Sequence, residues 1–236
     1  MNGSAPATPR ISVVLPCLNE ERTIADCVRA ALRGIENCAL AGEVLCADNA
    51  GTDQSARIAA ECGARVVHVG ERGYGAAVLG GIHAARAPWV VMADADGSYD
   101  LENIAPFAQA LRGGADLVMG NRFAGKIEPG AMPILNRYLG NPALSALGRL
   151  LSGARVGDFH CGIRAFRREK ILALGLQSPG MELASEMIAK AQRAGLHIQE
   201  VPVTLRKDGR GGRPSHLRPW RDGMRHVAVL LKHALA

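Results

Sequence analysis

The 236-residue chain is 48% hydrophobic but only 4% aromatic. That is enough apolar material for one domain with a sizeable core, and too few stacking side chains to favour a nucleic-acid binder. The formal net charge of +6 resides wholly in residues 206–236, where eight Lys or Arg face only Asp208 and Asp222, a balance that attracts phosphate or an anionic membrane surface. No apolar run approaches the ~18 residues of a membrane-spanning helix, and the six cysteines form no CxxC pair, so they read as small core residues, not disulfides or zinc ligands.

Residues 1–10 read as a loose leader lacking the features of a signal peptide, and 11–236 as a single domain, so a cytoplasmic protein is expected. The spacing predicts strands at 11–15, 43–47, 65–69, 89–93 and 116–119, alternating with helices near 20–33, 53–62, 76–86 and 101–112. That alternation is the signature of an α/β domain, a Rossmann-like, mostly parallel sheet with helices on both faces. Asn19 and Thr52 are candidate helix caps. The first strand runs into Leu15-Pro16-Cys17-Leu18-Asn19-Glu20, and the second into Asp48-Asn49-Ala50-Gly51-Thr52-Asp53. Both supply acceptors for ribose hydroxyls or a base. Gly73-Tyr74-Gly75 offers a small helix entrance whose N–H groups can face phosphate, although Val78 stands where the dinucleotide fingerprint needs glycine.

The fourth strand ends in Asp94-Ala95-Asp96. Carboxylates at the carboxyl end of such a strand suit a hard divalent cation shared with phosphate oxygens; a solvated acidic turn is the plain alternative. Beyond it come Gly120-Asn121-Arg122-Phe123, then an apolar stretch over 129–151 interrupted by Arg137 and Arg149, then Asp158-Phe159-His160-Cys161-Gly162-Ile163-Arg164. The stretch is read either as core packing or as a lipid-seeking surface. Glu182 and Glu186 share a helical face. After a strand at 200–204, residues 206–215 combine three glycines with Arg206, Lys207, Arg210 and Arg213, which suits a mobile phosphate loop or a plain surface loop. Trp220, Met224, Val227 and Leu231 then mark the apolar face of a last helix flanked by Arg221, Arg225 and Lys232.

In order and spacing, these motifs over roughly residues 10–205 resemble the family 2 glycosyltransferases of the GT-A fold, in the branch of dolichol-phosphate mannose synthase and bacterial polyprenyl-phosphate glycosyltransferases. Ala50 and Gly51 depart from the usual Gly-Ser of the second motif, and Asn121 from the serine of Gly-Ser-Arg. The resemblance implies that Leu15, Pro16, Asn19, Glu20, Asp48, Gly73, Tyr74, Gly75, Asp94, Ala95 and Asp96 bind a UDP- or GDP-sugar. It implies that Asp94 and Asp96 hold Mg²⁺ or Mn²⁺, that Arg122 and Arg164 contact phosphate, and that Arg206, Arg210 and Arg213 form an acceptor or phosphate loop. The reaction implied is metal-dependent sugar transfer with inversion, to a polyprenyl phosphate or a soluble small molecule. A hydroxyl acceptor would need a base, for which Asp158 and Glu182 are the candidates. A peripheral membrane contact is compatible with this reading, and the sequence leaves a homo-oligomer open. The competing readings are a nucleotidyltransferase, disfavoured because no glycine-rich basic signature follows the first strand, and a noncatalytic sugar-nucleotide binder.

Overall fold

The computed structural model describes residues 8–212 and 219–234. Strands β1 (Ile11–Cys17), β2 (Gly42–Asp48), β3 (Arg65–His68), β4 (Trp89–Met92), β5 (Leu117–Ile127), β6 (Arg164–Arg167) and β7 (Ile198–Leu205) form one sheet in the order β3-β2-β1-β4-β6-β5-β7. Only β6 runs antiparallel to its neighbours. All of β1 is buried, as a central parallel strand covered on both faces must be. Val13 and Leu15 point into one layer, against Ile24, Val28 and Ile35 of α1 (Ile24–Asn37) and Phe107 and Leu111 of α4 (Ala105–Arg112). Val14, Leu45, Val90 and Met92 point into the other, against Val78 and Ile82 of α3 (Tyr74–Ala84) and Met187 and Ile188 of α7 (Leu183–Arg193). The period of two along each strand thus builds both layers.

Helices α2 (Ser55–Glu61), α5 (Asn141–Ser152), α6 (Arg168–Ala173) and α8 (Pro219–Ala234) complete the described elements, with a π-helical turn at Asn136–Gly140 ahead of α5. The six cysteines are free thiols, and five of them are buried. No helix among the described residues is long and apolar enough to cross a membrane.

Several expectations are corrected. The fifth strand continues to Ile127, because beyond a bulge at Asn121 it pairs again with β7 through Lys126 and Ile127. Neither Asn19 nor Thr52 caps a helix. Asn19 takes a left-handed φ of 59° and its Oδ1 accepts from the Thr52 N–H, while Asp53 accepts from the Ser55 N–H at the start of α2. In α8 the buried residues include Asp222, His226 and Leu230, while Met224 and Leu231 of the expected inner face are exposed. The His226 ring takes up the Ser185 hydroxyl at 2.9 Å, which offsets the cost of turning that polar face inward.

Candidate functional site

Parallel pairing of β1 with β2 and β4 brings their carboxyl ends to one edge, with Cys17 beside Asp48 and Val14 beside Met92. The loops leaving those ends brace one another. Asp48 Oδ1 accepts from the Gly51 N–H at 3.1 Å, and its Oδ2 lies 3.0 Å from His68 Nδ1. Asn49 ties this loop to the next by donating to the Glu71 carbonyl and accepting from the Gly73 N–H at 2.7 Å. Leu15, Pro16 and Ala95 are buried and form the floor, so any contact they make to a ligand is through the backbone.

Above that floor stand Glu20, Asp94 and Asp96. Asp94 follows β4, and its Oδ1 accepts from the Tyr74 hydroxyl at 2.8 Å. Burial, and then the neighbouring Asp96, push the Asp94 carboxyl up to about 6. Glu20 is pushed up to about 7, chiefly by burial, with Arg210 opposing the shift and Asp96 adding to it. Asp96 Oδ1 accepts from the Ser98 N–H, its carbonyl from the Gly209 N–H at 2.7 Å, and the Ala95 carbonyl from the Thr23 hydroxyl at 2.7 Å.

The segment after β7 lies directly on this cluster. Arg206 donates from its backbone to the Ser98 carbonyl and from its side chain to Asp100, and Arg210, 8% exposed, reaches Asp96 at 3.5 Å, Asp208 at 3.3 Å and Glu20 at 3.7 Å. Arg213 lies outside the described residues. A divalent cation fits the acidic cluster because its carboxylates destabilise one another's charge and already draw a guanidinium. Among the described residues no three ligating side chains converge into a cage.

The other expected residues are placed differently. Asp158, fully buried, accepts from Arg122 Nε at 2.6 Å, Arg122 Nη2 at 2.7 Å, and the backbone N–H groups of Arg122 and His160. With four donors aimed at it, it is not free to act as a base. Arg164 does not reach the cleft. It is 1% exposed, and its three guanidinium nitrogens donate to the carbonyls of Cys161, Ala184 and Phe159, stapling the 158–164 loop to the start of α7. Its charge favours the ionised form of Asp94 without a hydrogen bond to it.

Glu182 sits at the start of α7, with Oε1 accepting from the Gly180 N–H and Oε2 3.9 Å from Arg225 of α8. Glu186 closes the preceding loop through the Gln177 and Ser178 N–H groups. The glycines of the α3 entrance serve packing. A Cβ on Gly73 would stand 2.1 Å from the Pro179 carbonyl oxygen, and one on Gly75 2.2 Å from that of Ser178. The Gly73 and Ala76 N–H groups are taken by Asn49 and Pro179, so they do not cradle phosphate.

The sequence reading passed over a cavity of about 360 Å³ lined by Arg122, Phe123, Ile127, Arg137 and Tyr138. Arg137 stacks over the Tyr138 ring at 5.4 Å. Beside the cavity, Ile134, Leu135, Tyr138 and Leu139 are exposed, Tyr138 by 70%. The signals for this site were Arg122 in the motif after the fifth strand and Arg137 interrupting the apolar stretch.

The model of glycosyl transferase family 2 matches residues 12–175. A low-salt glycan biosynthesis hexosyltransferase of Haloferax volcanii is 39% identical over 236 residues; the match covers 99% of this chain and 56% of that protein, so the chain spans little more than half of that relative. A dolichyl-phosphate hexose transferase of the same organism is 34% identical over 84% of this chain and 83% of its own length. Among solved structures, a glucosyl-3-phosphoglycerate synthase of Mycobacterium tuberculosis in complex with Mn²⁺, UDP-glucose and phosphoglyceric acid superposes with a TM-score of 0.70 at 28% identity, covering 98% of this chain and 81% of that one.

Proposed function

The chain belongs to glycosyltransferase family 2, and on that premise we propose that it moves a hexose, with inversion, from a UDP- or GDP-sugar to a phosphate-bearing acceptor, first of all a polyprenyl phosphate. The observation that carries this reading is the Asp94-Ala95-Asp96 turn at the carboxyl edge of the sheet, with Glu20 beside it and Arg210 above it. Asp94 and Asp96 would hold Mg²⁺ or Mn²⁺, which when bound neutralises the diphosphate and so favours its departure. Asn19, Asp48 and Asn49 fix the loops on which the nucleoside rests, and Arg210 stands where it can pass from carboxylates to phosphate.

An acceptor that is already anionic needs no base, which accords with the engagement of Asp158 by Arg122. The cavity with Arg122 and Arg137 suits its phosphate, and the exposed Ile134, Leu135, Tyr138 and Leu139 suit an isoprenoid chain at a membrane surface. A soluble phosphorylated acceptor is the second reading, favoured by the likeness to an enzyme solved with phosphoglyceric acid.

The test is nucleotide release by the purified protein with UDP- and GDP-hexoses and Mn²⁺, supplied either with a short polyprenyl phosphate in detergent or with 3-phosphoglycerate. Release that needs the lipid phosphate and stops with EDTA and in Asp96→Asn is expected. Release with phosphoglycerate alone would move the acceptor to the soluble class, and release unaffected by EDTA would remove the metal.

A further inference from the structure

The acidic cluster has a partner that comes from neither carboxylate loop. Tyr74 opens α3, and its hydroxyl donates to Asp94 Oδ1 at 2.8 Å. On the far side of the same carboxylate lies the bare backbone of Gly162, where a Cβ would stand 2.1 Å from Asp94 Oδ2. Gly162 is itself held, its N–H donating to the Tyr99 hydroxyl at 2.8 Å. The Asp94 carboxylate is therefore confined between a phenol and a peptide, with one oxygen already engaged.

Tyr74 is held as firmly as the group it holds. Gly73, at φ +139°, donates to Asn49 Oδ1 at 2.7 Å, and the Ala76 N–H donates to the Pro179 carbonyl at 3.1 Å. The phenol is thus anchored by the loop after β2 and by the segment that leads into α7. A hydroxyl committed to Asp94 is not a donor for the sugar nucleotide, and the glycines flanking Tyr74 are explained by the approach of residues 178–180.

We infer that Tyr74 is a positioning residue, which orients the Asp94 carboxylate so that it meets the divalent cation in one fixed direction. This rests on the reading of Asp94 and Asp96 as the carboxylates that hold the donor's cation. Hydrogen bonds to a metal ligand fix its orientation before the ion arrives, and their loss typically weakens metal affinity by about 10- to 100-fold. Without the phenol, Asp94 loses a hydrogen bond that favours its ionised form and regains torsional freedom that each binding event must then remove.

Tyr74→Phe removes the hydroxyl and keeps the ring. In the full-length protein, Mn²⁺ is titrated alone and with saturating UDP or GDP, and free Mn²⁺ is read by electron paramagnetic resonance. Tyr74→Phe is expected to weaken Mn²⁺ binding about tenfold and to broaden the bound-ion spectrum, with a melting temperature within a few degrees of wild type. The same substitution in an Asp94→Asn background is expected to change Mn²⁺ affinity little further, because Tyr74 acts through that carboxylate. Wild-type Mn²⁺ affinity in Tyr74→Phe, with Asp94→Asn impaired, overturns the role of Tyr74 alone. An undiminished tenfold loss in the Asp94→Asn background overturns it too, since the phenol would then act elsewhere. Wild-type affinity in Asp94→Asn itself overturns the cation reading and this inference with it.

Discussion

Arg122 and Asp158 form a buried pair whose two members were assigned separate chemical duties by sequence pattern, one to phosphate and one to proton transfer. Their bidentate contact occupies Asp158, while Arg122 also lines the cavity beside Arg137. Asp158→Ala would leave a guanidinium beneath the surface without its counter-charge, an arrangement that costs about 3–5 kcal/mol; urea unfolding should show a loss of that size before any effect on turnover is interpreted. Arg164→Met strands three carbonyls, those of Cys161, Ala184 and Phe159. At about 1 kcal/mol or more for each unsatisfied group, the midpoint of unfolding should fall markedly, and any residual folded enzyme should keep its donor affinity. A direct phosphate contact would give the opposite pattern, weak donor binding in a stable protein. The motif identified these side chains as important, but residue type alone does not distinguish an arginine that binds carbonyls from one that binds phosphate, since both acceptors are oxygens.

Among the elements, the segment after β7 was read from its glycines and cations as a mobile phosphate loop or a plain surface loop. Residues 206–210 lie along the Asp94–Asp100 turn, held by two backbone hydrogen bonds and the Arg206–Asp100 pair. Arg210→Ala removes the one described guanidinium that contacts both Glu20 and Asp96. It is expected to lower turnover at least about tenfold, the scale of a lost charged transition-state contact, while the melting temperature shifts by only a few degrees. It should also tighten binding of Mn²⁺ alone, because a competing positive charge has gone. Unchanged turnover across salt concentrations would reduce the segment to surface structure. In the stretch ahead of α5, the apolar periodicity was compatible with packing or with exposure. Over 129–151 the structure divides the two, Met132 and Leu151 packing on the core while Ile134, Leu135, Tyr138, Leu139 and Leu150 are exposed. Replacing Ile134 and Leu139 by Ser should reduce co-sedimentation with anionic phospholipid vesicles and leave nucleotide binding unchanged.

At the scale of the whole molecule, α8 is joined to the rest through α5 and α7, with His226 at the contact. Burial, reinforced by Arg164 and opposed by Asp222, pushes His226 down to about 4 from 6.5. His160, whose ring meets it edge-on at 4.5 Å, is lowered by burial as well. His226 therefore binds fewer protons in the folded chain than in the unfolded one between those values and contributes a loss of stability on the order of 3 kcal/mol at most as pH drops from about 6.5 to 4, while Glu20 and Asp94, raised to about 7 and about 6, contribute in the opposite sense. Denaturant titrations of wild type and His226→Gln should isolate the His226 part, the wild type losing stability relative to the variant as pH falls through that window. The succession of elements through β5, the mostly parallel sheet and the Asp94-Ala95-Asp96 edge were legible in the sequence because alternating burial and strand-end charge are local properties, whereas β6, antiparallel between β4 and β5, was not foreseen. The sequence alone also carried the family, through the order of its motifs. The tertiary structure alone decided which polar residues face the cleft. Asp158 and Arg164 were drawn into buried pairings, Tyr74 was turned onto Asp94 and Arg210 onto Asp96. Those outcomes join residues 20 positions apart for Tyr74 with Asp94 and Arg164 with Ala184, 36 apart for Asp158 with Arg122, and 114 apart for Arg210 with Asp96, which meet only when strands and helices pack, and a buried polar group takes whichever partner that packing supplies.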